Sequence, residues 1–188
     1  MSEESVSTAP PRLNYAAAAA RATLVGIVLT AAIAAPGIVR TGHLPHFRMG
    51  ILHAPNLALI GQASMAVKIH LATLGVAAVV GLILLSGIKG DRAHRTLGWV
   101  FAGAMLATGV VTLTIPPPLL GPTLFGFGPL HLFSLTALIG VPVSLVAARN
   151  HKPLVHGRIM FSLFVGGLGI AGLGAFTPGR LMWQVLFG

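Results

Sequence analysis

Histidine is the residue type in this 188-residue chain best able to do chemistry, with eight copies against three acids and no cysteine. Without cysteine, disulfides, thiolate-held zinc, iron–sulfur clusters and thiolate-ligated haem are excluded from this chain. Any metal has to be held by imidazole. Asp91 is the only acid after residue 4, so no Ser/His/Asp set can be assembled. Neither a phosphate loop nor a dinucleotide fingerprint occurs, which leaves no assignable catalytic group and the question of enzymatic activity open. An imidazole near hydrocarbon is costly unless it is bonded, ligated or in reach of water. Where the elements carry these histidines therefore decides what they can do.

The elements are membrane spans. The chain is 55% hydrophobic and 8% charged, whereas soluble domains carry about 25% charged residues. Its mean hydropathy of +0.89 also excludes a soluble globular fold. Apolar blocks at about 16–39, 63–88, 94–115, 128–148 and 157–176 are each long enough to cross roughly 30 Å of hydrocarbon as a helix. The predicted fold is all-α: an integral membrane protein built as a five-helix transmembrane bundle. Spans two to five form a four-helix core, and span one packs outside it. The first block also resembles the core of a signal peptide, and the transmembrane helix is the favoured reading. Residues 1–13, with Pro10 and Pro11, are expected to be a disordered cytoplasmic tail, and residues 14–188 a single transmembrane domain. Short breaks between the later blocks imply an up-and-down path.

The net charge of +9 points to cationic loops at an anionic membrane surface and is poor support for nucleic-acid binding. Arg12, Arg21, Lys89, Arg92, Arg95, Arg149, Lys152 and Arg158 fall on one side of a five-span topology, against Arg40, Arg48, Lys68 and Arg180 on the other. The bias places the amino terminus in the cytoplasm and the carboxyl terminus outside, in a multi-pass protein of the cell inner membrane.

This topology pairs the histidines. His70 and His131 lie early in spans two and four, near the outer surface, while His94 and His156 open spans three and five at the inner surface. Two imidazoles from facing helices are the axial ligands that a low-spin haem b requires, so one or two haems are expected on these four residues. Depth within the spans favours the outer pair if there is only one. Arg95 and Arg158 stand beside the inner pair and suit haem propionates, lipid phosphates or an acidic neighbour. Gly75, Gly98, Gly166, Gly167, Gly169, Gly172 and Gly174 suit either close haem approach or helix packing. In the loop after span one, His43, His46 and His53, with Met49, form a weaker candidate for copper or zinc, the default being a solvated loop. Asp91 is expected to pair with Arg92 or Arg95.

The motifs His70-x-x-x-x-Gly75, His94-Arg95-x-x-Gly98-Trp99, Leu130-His131 and His156-Gly157-Arg158-Ile159-Met160 occur in that order. They resemble a bacterial multi-helix membrane-protein family known only as a domain of unknown function, with HRxxG and HxRxM signatures, over about residues 63–165. The alternate-helix pairing also resembles, in architecture, the transmembrane di-haem cytochrome b family. That likeness implies electron transfer with a quinol or another redox membrane complex as partner. Two function classes follow: a haem b electron carrier, and a non-redox accessory subunit that packs into a homo- or hetero-oligomer in the lipid bilayer.

Overall fold

The computed structural model describes residues 51–116, 129–176 and 180–188. Among these the regular structure is helical throughout: α1 Leu57–Gln62, α2 Met65–Ser86, α3 Arg92–Thr112, α4 Pro129–Arg149, α5 Pro153–Gly174 and α6 Leu181–Phe187. The expected tail, the first span, and His43 and His46 lie outside the described residues.

Local chemistry sets the helix ends. Ser64 accepts from the Val67 N–H and starts α2, while the Asp91 carboxylate accepts from the His94 N–H at 2.7 Å and starts α3. Arg95 Nε donates to the backbone carbonyl of Asp91, so the expected side-chain pairing gives way to a capping role. At the far end of α2, Lys89 Nζ donates to the carbonyls of Leu84, Leu85 and Gly87, supplying protons to acceptors that no longer have a helical partner. Pro153 occupies the first position of α5, where a missing N–H costs nothing. These caps begin α3 at Arg92 and α5 at Pro153, two and four residues earlier than hydropathy suggested, and so draw His94 and His156 inside their helices. Pro142 sits within α4 without ending it.

Four of the described helices are long and apolar enough to cross a membrane. Their burial pattern fits lipid as solvent: Val79 and Leu82 on α2 and Ile139 on α4 are each close to 60% exposed. The interior is small and tightly built from Ala77, Phe101, Ala102, Met105, Ala137, Val141 and Leu163. Each of α2, α3 and α4 packs on the next helix in sequence, and α2 also meets the middle of α5, which closes a four-helix bundle. Small residues allow this contact, as is usual where lipid removes the hydrophobic drive between helices. A Cβ on Gly81 would collide with the Phe164 ring, and one on Gly109 or Gly140 would press on Leu138 or Leu163 at 3.1–3.2 Å. Phe164 opens a seven-residue π-helical stretch, Phe164–Ile170, inside α5. Beside the bundle, the backbone of His53 and Asn56 donates to Leu186 and Val185 of α6, tying the segment before α1 to the last helix.

Candidate functional site: two histidine clusters at opposite ends of the bundle

At the end of the bundle formed by the 87–91 and 150–152 turns, α3 supplies His94, α4 supplies Ser144 and α5 supplies His156. The two imidazoles meet edge to face, with ring centroids 6.4 Å apart and planes at 81°. His156 Nδ1 lies 2.9 Å from Ser144 Oγ and 3.1 Å from the Ser144 carbonyl oxygen. In return, Ser144 Oγ donates to the His156 carbonyl at 3.2 Å. Ser144 is fully buried, so this hydroxyl is a fixed part of the contact between α4 and α5. His94 Nδ1 is buried and has no hydrogen-bond partner, in contrast to the general rule for interior polar atoms. Around this layer Lys89, Arg92, Arg95, Arg149, Lys152 and Arg158 are all exposed. With Asp91 committed to its cap, the end is strongly cationic.

The opposite end carries a second polar cluster. His70 Nδ1 lies 2.9 Å from Thr112 Oγ1, which donates to the Thr108 carbonyl at 2.7 Å. Thr108 Oγ1 in turn donates to Thr73 Oγ1 at 2.6 Å, joining α2 to α3 through side chains. Such bonds cost little to form where water is absent and would be expensive to leave unmade. His131 is buried at the third position of α4, in the same layer by topology. Of the two expected pairs, the inner one is therefore in ring contact, while the ring of His70 is engaged by Thr112.

His53 turns both ring nitrogens onto carbonyl oxygens, those of Ala54 at 2.7 Å and Gly188 at 2.8 Å. A carbonyl only accepts, so the nitrogen that carries the ring proton donates to one of the two oxygens, and the imidazole links the segment before α1 to Gly188. The expected glycine contacts divide differently. Gly75, Gly98, Gly169, Gly172 and Gly174 have open space where a Cβ would stand, and only Gly166 and Gly167 face a neighbour, Phe133 at 3.9 Å and Met105 at 3.4 Å. Two shallow apolar grooves of roughly 400 Å³ run along the outside of α2, one against α3 past Trp99 and Gly103, the other against α5 past Gly75 and Gly169. Neither is lined by a histidine.

Sequence reasoning named the histidines and missed Ser144, Thr73, Thr108 and Thr112. A signal existed: hydroxyls inside apolar spans need partners, and Thr108 and Thr112 stand four residues apart on one helix face.

The fold and these clusters define a multi-pass α-helical membrane protein whose interior polar groups are gathered in two layers. The chain belongs to the family described as "Predicted membrane protein (DUF2306)", whose profile matches residues 67–186. That range begins within α2, ends in α6 and takes in both clusters. Neither a curated protein nor a solved structure matches the chain.

Proposed function

We propose that this protein is a haem b-binding transmembrane electron carrier, with His94 and His156 as the axial ligands of its best-formed site. The observation that carries the reading is the His94–His156 contact: two imidazoles from different helices, one anchored through Nδ1 by Ser144 and the other with a buried, unpartnered nitrogen. With ring centroids 6.4 Å apart, the two imidazoles lie near enough for both to serve one ligand. Among the described residues no group of three or more His, Cys, Asp or Glu is placed to hold a metal ion. Two ligands alone suit a metal whose remaining positions are filled by a macrocycle. Bound there with both axial positions taken, haem would supply one-electron transfer. The chain's own contribution is to fix His156 through Ser144, to keep the pair within the bundle, and to offer Arg95 and Arg158 as cationic partners for carboxylates at the surface. A second haem on His70 and His131 remains part of the proposal, as does a quinol or a redox membrane complex as partner.

The accessory-subunit reading is favoured by a different observation. The open glycine positions Gly75, Gly103 and Gly169 lie along the two grooves of α2, which suits helix packing against a partner of the same or another kind. A reduced-minus-oxidised spectrum of the purified protein separates the two. Low-spin haem b bands that fall by the same amount in His94→Ala and His156→Ala support the carrier, and a colourless preparation from haem-replete cells supports the accessory subunit.

A further inference from the structure

The His156 hydrogen bonds contain more information than the presence of a partner. The Ser144 carbonyl, 3.1 Å from His156 Nδ1, has no proton to give, so the hydrogen between them belongs to the imidazole. The single hydroxyl proton of Ser144 is directed to the His156 carbonyl at 3.2 Å. Its oxygen therefore faces Nδ1, 2.9 Å away, as a second acceptor. One N–H is shared between two oxygens of one residue, and both bonds require the same tautomer. In the neutral ring that leaves Nε2 without a proton.

We infer that Ser144 is a positioning residue that sets the tautomer and ring orientation of His156, so that the unprotonated Nε2 is the atom this imidazole presents to a ligand. The placement accounts for a hydroxyl at a fully buried position of α4, where Val141 is the other of the largest side chains shielded completely. An alanine would fill almost the same volume without the polar requirement. Holding the far nitrogen of a ligating histidine on an oxygen fixes the ring and makes it a stronger electron donor. As a role toward haem, the inference rests on the carrier reading above; as a statement about the imidazole, it stands by itself.

The test uses Ser144→Ala in the full chain, with Ser144→Cys as a variant that keeps a weak donor of similar size. Nitrogen-15 NMR of histidine-labelled, haem-free protein in lipid bilayers reads the tautomer directly. Wild type is expected to show a protonated Nδ1 and a bare Nε2 for His156, assigned by the loss of those signals in His156→Ala. Because the backbone carbonyl of residue 144 stays in place, Ser144→Ala is expected to keep Nδ1 protonated as the main form while shifting its N–H resonance through loss of the hydroxyl acceptor and admitting a minor share of the other tautomer, with Ser144→Cys between the two. In haem-loaded protein the same loss should raise the midpoint potential and alter the low-spin electron paramagnetic resonance signature of the haem that is bound. A wild-type ring protonated on Nε2, or a Ser144→Ala spectrum identical to wild type in a variant that still folds, overturns the inference. A protein that never takes up haem but shows the expected tautomer shift sinks the carrier reading alone and leaves the role of Ser144 standing.

Discussion

At the residue scale, packing against glycine and hydrogen bonding between hydroxyls give opposite lessons about size of effect. Gly81 lies against the Phe164 ring, so Gly81→Ala forces that ring or its helix to shift and is expected to cost about 1–3 kcal/mol. Gly75 has open space at the same position, and there Gly75→Ala gains helix propensity of up to about 1 kcal/mol with nothing to displace. Unfolding of the two variants in mixed micelles should therefore move in opposite directions. The hydroxyl chain behaves more modestly. Thr108→Val keeps the shape and deletes the bond to Thr73, and hydrogen bonds between membrane helices average about 0.6 kcal/mol. A double-mutant cycle with Thr73→Val should return a coupling of that order, and a value near zero would mean the two hydroxyls do not interact in the bilayer.

At the scale of the elements, the turns carry the two left-handed residues among those described. Gly90 adopts φ 86° in the turn before the Asp91 cap, a conformation that costs a residue with a Cβ about 1–2 kcal/mol. His151, at φ 53° just after α4, already bears that cost. Gly90→Ala should lower stability by about 1 kcal/mol, and His151→Gly should raise it, since glycine relieves the left-handed strain. The same scale includes the Asp91 cap, where Asp91→Ala removes the bond to the His94 N–H and should cost about 1 kcal/mol. Its more telling consequence is positional. His94 is the third residue of α3, so fraying of that first turn should loosen His94 against His156 and reduce haem retention as well as stability. Equal haem affinity in Asp91→Ala and wild type would separate the cap from the site.

For the whole molecule, the two polar clusters are far apart. His94 and Thr112 are eighteen residues apart on one helix, which at about 1.5 Å per residue is roughly 27 Å along the bundle. Each layer is therefore a separate site with its own neighbours, and variants should not be coupled across the span. His94→Ala and His156→Ala are expected to remove the same fraction of bound haem, while His70→Ala and His131→Ala should leave that fraction untouched. Loss from both layers in every variant would refute two independent sites. Orientation follows from charge at this scale as well. The 87–91 and 150–152 turns and the helix ends beside them carry six exposed cations, whereas Lys68 and Arg180 are the basic residues at the other end among the described residues. Reporter fusions in the two turns are expected on the cytoplasmic side, and an external signal from both would invert the assignment of each cluster to its surface.

The sequence by itself determined the solvent, the helices and the candidate residues. Apolar runs of spanning length broken by charged or proline-rich turns leave the backbone no alternative to helices, because lipid offers no partner for an unbonded N–H or C=O. The absence of cysteine left histidine as the main metal-ligating residue, and the alternation of direction between consecutive spans placed His94 and His156 at one end, His70 and His131 at the other. Rotation about each helix axis is what hydropathy could not supply, because a span surrounded by lipid is apolar on every side. Only the tertiary structure decided that His94 turns toward His156 while His70 turns to Thr112, that Gly81, Gly109 and Gly140 lie at close contacts between helices, and that Asp91 caps a helix instead of pairing with arginine. Ser144 is the clearest case. In the sequence it is one small polar residue in an apolar span, and its bond to His156, twelve residues away, exists only because a short turn folds α5 back against α4.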